Sequence, residues 1–385
     1  MVTAIGARVT ADELLGQYAP GDFFLATARE TLLARGVARS FTDGDAVRLS
    51  ERVADALAES SAALAVGALP FDTAGAPGHA VLPSTVASAP PAHPAAAAFD
   101  RGAVGVPVAV RPVPTPELHA EAVAKAIAAL NDRDLRKVVL ARALDVDFDE
   151  DVRAAAILRN LVKDNASGYT FAAGLPGGYS LLGSSPELLL SRRGDRVVSH
   201  PLAGTAPRSA DPVEDAENAA ALLASRKNQV EHAVTVEAVV ETLRPFCRGL
   251  TVPDGPRLVA TPAVWHLGTG ISGELADRDV TAFRLAAALH PTPAICGSPT
   301  AAARELVGDL EPFDRGYYAG TVGWVDAAGD GEWAVAIRCA QVRGRSMRLY
   351  AGGGIVPESE PVSELDETSV KFRILLRAMG LPPEL

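Results

Sequence analysis

Hydrophobic spacing divides the chain into helical and extended stretches. Over residues 12–35 and 44–65, apolar side chains recur at about 3.6 residues, which predicts two helices. Ala65–Asp72 (AVGALPFD) is a short apolar run closed by a turn, the pattern of a buried strand. Residues 76–98 are rich in proline and alanine and predict loop or irregular strand. They form the best candidate boundary, without requiring independent domains on either side. Beyond it, Glu117–Leu130 predicts a helix, Lys137–Phe148 (KVVLARALDVDF) a β-branched strand, and Asp151–Asp164 a helix. Tyr169–Leu175 and Tyr179–Leu182 predict strands, and Glu187–Arg193 and Arg196–Leu202 flank Gly194-Asp195 as a hairpin. Glu214–Arg244 is helical with a break near Arg226, and Pro245 helps end it. Arg257–Leu275 is extended, and Val280–Leu289 and Pro299–Leu306 are helical. Trp324–Asp326 with Glu332–Arg338, and Gln341–Val342 with Arg348–Tyr350, flank glycine-containing turns. Strands outnumber helices and meet mostly through hairpin turns, so an α+β fold with antiparallel sheets is expected rather than a doubly wound parallel sheet.

The most informative stretch is Gly352–Phe372, GGGIVPESEPVSELDETSVKF. Its three glycines are expected to end a strand, Pro361 to halt the preceding structure, and Ser363 to cap a helix. Glu364, Glu367 and Lys371 then fall within about 60° of arc on one helix face. Val370, Phe372, Leu375 and Leu376 supply apolar surface for packing. Two carboxylates and an ammonium thus stand in a row beside backbone that can approach a ligand closely.

Composition narrows the class. The chain has 385 residues, 48% hydrophobic and 22% charged, enough for one large domain or two small ones. A net charge of −11 argues against a nucleic-acid surface, while a locally basic or metal-holding pocket could still take a small anion. Cys247, Cys296 and Cys339 are widely spaced and make neither a disulfide framework nor a zinc pattern, which fits a reducing, cytoplasmic setting. The N-terminal residues lack a basic region followed by an apolar run, and no stretch approaches the roughly 20 apolar residues of a membrane span. No GxGxxG or P-loop precedes a helix, so no nucleotide cofactor is expected.

Several residues carry candidate chemistry. Glu187, in Gly183-Ser184-Ser185-Pro186-Glu187, follows a tight turn and could act as a general acid if burial raises its pKa. Lys137 opens an apolar strand; it is either a solvated gatekeeper or, if buried, a candidate base. Glu231 lies in a helix four residues after Lys227; it reads either as half of a surface ion pair with that lysine or, with Glu367 from another helix, as a ligand for magnesium. His266 sits among apolar residues, and Arg338 in AVAIRCA needs an anionic partner if buried. With Lys371, that arginine could bind a carboxylate.

Together and in order, KVVLAR, GSSPELLL, PLAGTAPR, VEH, VWHLGTG, LHPTPAICG, EWAVAIRCA and GGGIVPESEPVSELDET resemble the chorismate-utilising enzymes. The likeness runs from about Glu117 to Met379, and AVGALPFD extends it into the N-terminal third. It implies a single large domain over 1–385, two packed antiparallel sheets with helices outside, with 1–112 as the N-terminal part of the fold and 113–380 as the chorismate-binding core. Ammonia-using members usually have glutamine at Lys137, aminodeoxychorismate synthases a lysine at Ala203, and anthranilate synthases a threonine at Ala294. The resemblance therefore implies a water-using isochorismate synthase, monomeric and without an amidotransferase subunit. Salicylate synthase is the alternative, although many of those carry a further glutamate at Asn228; a non-catalytic dicarboxylate-binding protein is the other. The resemblance further implies that Lys137 activates water, Glu187 protonates the leaving hydroxyl, and Glu231 and Glu367 hold Mg2+ with Glu364 near. Arg338, Lys371 and the Gly352 backbone would bind the second carboxylate. Gly204, Thr205, His266, Ala294, Ile295 and Tyr350 would line the substrate.

Overall fold

Two antiparallel sheets face each other across one apolar layer in the computed structural model, which describes residues 9–73, 75–92, 102–132, 134–164 and 168–381. The first sheet has ten strands. Its longest, Lys137–Phe148, pairs with Ser346–Ile355, after which come Cys339–Arg343, Tyr179–Ser185, Tyr169–Leu175, Phe23–Ala26, Thr31–Arg35 and Thr85–Ala89. On its other side Lys137–Phe148 pairs with Gly297–Ser298 at its start and Pro107–Val113 at its end. The nine-stranded sheet runs Cys247–Thr251, Ile271–Leu275, Arg196–His200, Leu188–Arg193, Gly331–Ala336, Gly320–Asp326, Leu64–Leu69, Gly78–Leu82 and Arg39–Asp43. A small third sheet joins Leu202–Pro207, Val264–Gly268 and Arg257–Ala260.

Strand alternation explains the layering. Ala141 and Ala143 join Val322 and Val335 of the other sheet in the central core. Leu144, Val146 and Phe148 turn outward, to a second core with Ile157 and Leu161 of the Ala154–Asp164 helix and Phe372 and Leu376 of the Pro361–Met379 helix. The α+β sandwich is the fold class expected from the sequence. No helix among the described residues is long and apolar enough to cross a membrane.

Three local expectations are corrected. The helix over 12–35 is only Ala11–Gln17: Pro20 and Gly21 (φ +98°) break it, and Phe23–Ala26 and Thr31–Arg35 pair as strands with Phe23 opposite Ala34. Likewise the second helix stops at Ala58, and Leu64 opens a strand. In the proline- and alanine-rich stretch, Gly78–Leu82 belongs to one sheet and Thr85–Ala89 to the other, so it stitches the sheets together rather than dividing them; residues 93–98 lie outside the described residues. The third correction is at Gly352–Gly354. The strand continues through the glycines to Ile355, Pro361 begins the helix rather than halting the structure before it, and Ser363 lies inside its first turn.

One buried ion pair ties the strand start to the loops around it. Glu311 and Arg315, with side chains 3% and 2% exposed, meet at 2.5 Å. Arg315 donates to the carbonyls of Val139 (2.7 Å) and Ile295 (2.9 Å), and Glu311 Oε1 accepts from the Ala141 N–H (2.7 Å). Glu311→Ala leaves a buried guanidinium without its counter-charge, which costs about 3–5 kcal/mol. The expected result is a large drop in the denaturant midpoint, measured by circular dichroism.

Candidate active site

The chain crosses between the two sheets twice at one place. Tyr179–Ser185 lies in the ten-stranded sheet and Leu188–Arg193 in the other, with Pro186-Glu187 as the link. Gly331–Ala336 and Cys339–Arg343 repeat the step in reverse through Ile337-Arg338. The two links are cross-bonded: Ser184 N–H donates to the Arg338 carbonyl (3.0 Å) and Val335 N–H to the Glu187 carbonyl (3.1 Å). Arg338 is held at φ +50°, an uncommon conformation for a non-glycine residue and one that marks a constrained position. A buried carboxyl and a buried guanidinium are thereby delivered to the same cleft.

Their environments set their charge. Burial raises the Glu187 pKa to about 7, opposed by the Leu202 N–H (3.4 Å) and by Lys137, Lys371 and Arg338. Burial lowers Arg338 only to about 10, so it stays cationic at neutral pH. His266, on the small sheet, is pushed well below its ordinary value by burial and by the neighbouring cations Arg338 and Lys371. Its Nδ1 lies 3.0 Å from the Gly204 carbonyl and its Nε2 is 2.9 Å from Arg338 Nη2. That pattern assigns the proton to Nδ1 and makes Nε2 the acceptor for the guanidinium. Arg338 Nη1 is buried with no hydrogen-bond partner among the described residues, a free donor beside the cleft.

Three lysine–carboxylate pairs form the other wall. Lys137 Nζ, wholly buried, lies 3.1 Å from Glu231 Oε1. Lys371 Nζ lies 2.6 Å from Glu367 Oε1 and donates to the Gly352 carbonyl (2.8 Å). Lys227 pairs with Glu364, not with Glu231 of its own helix. Burial and the neighbouring Glu367 raise the Glu364 pKa, whereas at Glu367 burial is outweighed by Lys371, Lys227 and Arg338, which hold its pKa low.

The glycines are what let these groups converge. A Cβ at Gly354 would stand 2.0 Å from Glu231 Oε1 and 2.9 Å from Lys137 Cε. One at Gly353 would lie 3.2 Å from Glu364 Oε2 and 3.6 Å from Glu367 Oε1. The three carboxylates therefore border two adjacent missing side chains. Gly354→Ala is expected to displace the Lys137–Glu231 pair and lower turnover by two decades or more, roughly the effect of misplacing one catalytic group. A steady-state assay, with circular dichroism as the folding control, checks it.

Of the residues singled out in the sequence, Glu187, Gly204, Thr205, Glu231, His266, Ala294, Ile295, Arg338, Gly352, Glu367 and Lys371 line one cleft. Lys137 and Glu364 stand behind that lining, each paired to a carboxylate or lysine of the site. Tyr350 is not part of the lining; it stacks behind Tyr318, ring centroids 4.8 Å apart. Tyr318 and Lys227 were not foreseen. Tyr318 belongs to a buried aromatic doublet whose place on the cleft no local pattern signals, and Lys227 is legible only once the 361–379 helix is docked.

A cleft with a buried acid, a buried guanidinium and clustered carboxylates and ammoniums defines a site for a small anionic substrate. The chain belongs to the chorismate-binding enzymes, whose family model matches residues 107–380. It is 48% identical to the isochorismate synthase DhbC of Bacillus subtilis, covering 96% of each chain. It is 38% identical to the isochorismate synthase EntC of Escherichia coli, over 99% of this chain and all of that one. Among solved structures, DhbC from Bacillus anthracis superposes with a TM-score of 0.91 at 41% identity, covering 97% of this chain and 100% of that one.

Proposed function

We propose that the protein is an isochorismate synthase: it adds water to C2 of chorismate and releases the C4 hydroxyl. The observation that carries this reading is the convergence of a buried acid poised near neutrality, Glu187, with the buried lysine that opens the strand Lys137–Phe148. Hydroxide is a poor leaving group, so displacement needs an acid at C4 as well as a base for the attacking water. Lys137 takes a proton from water as the oxygen bonds to C2. The ring double bond shifts, the C4–O bond breaks, and Glu187 gives its proton to the departing hydroxyl. One water enters and one leaves, so the net change is an isomerisation.

Arg338 and Lys371 are the anchors for a substrate carboxylate, supported by the unpartnered Arg338 Nη1 and the bracing of the guanidinium by His266. His266 is an acceptor in this arrangement, so its part is to orient Arg338 rather than to donate a proton. Gly204 (φ +74°) and Thr205 lie at a bulge in the small sheet, and Ala294 and Ile295 close the opposite side of the cleft.

A divalent metal fits the carboxylates. They are hard oxygen donors bordering Gly353 and Gly354, and the Glu364 Oε2 is buried without a well-formed hydrogen bond. Magnesium takes one or two carboxylates with waters and substrate oxygens, a donor set these residues could supply. Glu231 and Glu367 would hold it, with Glu364 near, and it would supply charge neutralisation for a substrate carboxylate.

The salicylate alternative is disfavoured at Asn228, whose amide is committed to Ser225 (2.9 Å) and whose side chain packs within about 3 Å of the space beside Gly204. Incubation with chorismate and magnesium, followed by chromatography, tests the reading. Isochorismate is the expected product; salicylate with pyruvate would establish the alternative, and no turnover despite binding would establish a non-catalytic protein.

A further inference from the structure

We infer that Lys227 is a tethered counter-cation that competes with the metal for Glu364 and so sets how tightly the site takes magnesium. The inference rests on the magnesium reading above and concerns a residue to which that reading gives no role. Lys227 opens the Arg226–Leu243 helix, one turn before Glu231, and reaches across to Glu364 on the Pro361–Met379 helix. Glu364 is 1% exposed, so its charge needs a partner inside the protein. The ammonium of Lys227 supplies that partner, and its field extends to Glu367 and Glu231 as well.

The three lysines of the wall differ in their freedom. Lys137 is 0% exposed and cannot withdraw from Glu231 to water. Lys371 is fixed twice, by Glu367 and by the Gly352 carbonyl. Lys227 has 23% of its side chain exposed and a flexible four-carbon stem. It is the one that can leave toward solvent when a dication arrives. Until then it holds Glu364 in place and relieves the repulsion between Glu364 and Glu367, which lie three residues apart on one helix. Both effects oppose metal entry: a carboxylate must be released, and a positive charge stands near the ion.

Lys227→Met therefore should bind magnesium more tightly, although it removes a buried charge pair. With solvent screening at an effective dielectric of about 80, one unit charge about 6 Å from a dication is worth on the order of a tenfold change in affinity. Titration calorimetry of magnesium into the substrate-free protein reads this directly, and thermal melting gives a second readout. Lys227→Met should melt lower than the parent in chelator and gain more from magnesium. Lys227→Arg keeps the charge and should bind magnesium like the parent. If Lys227→Met folds poorly, the same comparison is made in a Glu364→Gln background, where removing Lys227 leaves no unpaired carboxylate at position 364 and should still raise the affinity by taking its positive charge away from Glu367 and Glu231. Unchanged or weaker magnesium binding in a folded Lys227→Met protein overturns the inference and leaves the magnesium reading intact. A parent protein that binds no magnesium overturns both.

Discussion

Glu187→Gln is expected to lower turnover by about two to four decades, the usual scale for losing one acid or base. Chorismate affinity should change far less, because Arg338 and Lys371 remain. Lys137→Ala should act on the same scale from the other side of the reaction. The pH dependence adds a signature that a packing defect would not produce. Glu187 must be protonated to act, and its pKa stands near 7, so turnover of the parent should fall as pH rises through about 7. That limb should vanish in the glutamine variant. Stability carries the complementary sign. The folded-state pKa lies above the ordinary 4.5, so between the two values the folded protein binds more protons than the unfolded chain. Its stability therefore falls as pH rises through this window, by about 3 kcal/mol in total. Glutamine removes the titration. Glu187→Gln should melt above the parent at pH 8, with the difference closing toward pH 4.5. Near-normal turnover in either variant removes that residue from the chemistry; lost affinity with normal turnover at saturation makes it a substrate contact.

Glu231→Ala and Glu367→Ala are each expected to abolish magnesium-dependent turnover, with losses of about three decades or more, since a Lewis-acidic ion is worth several kcal/mol to such a reaction. Neither side chain belongs to the apolar cores, so the fold should survive. The two variants differ in what they strand. Glu231→Ala leaves Lys137 without a partner, and Glu367→Ala leaves Lys371 held by the Gly352 carbonyl alone. Turnover at saturating magnesium, with circular dichroism as control, checks both. Full activity in Glu367→Ala, or undiminished activity of the parent in excess chelator, would contradict the metal assignment.

Much of the site was legible in the sequence because its residues sit at element boundaries with chemical signatures. A lysine opening an apolar strand, an arginine in EWAVAIRCA and a carboxylate–carboxylate–ammonium face on one helix are each anomalies against a local pattern. The double crossover that brings Glu187 beside Arg338 was not, since it depends on two distant hairpins bonding to one another. Nor was the partner of each lysine. Lys227 reads locally as a match for Glu231 at i+4, yet the docked helix offers it Glu364. At the N-terminus, the apolar runs in FFLATARETLLA fit either period, and the Pro20-Gly21 break decided for strands. Glycines were misread in one respect: at 352–354 they extend a strand, because the side chains of Glu231, Glu364 and Glu367 need the space.

In the proposed reaction solvent water, activated at Lys137, becomes the new ring hydroxyl while Glu187 expels the old one. Turnover of chorismate in water enriched in heavy oxygen, followed by mass spectrometry of the product, tests it most directly. The expected product is isochorismate carrying one solvent-derived oxygen, at C2. Isochorismate without label, or an amino product formed from added ammonium, would contradict it.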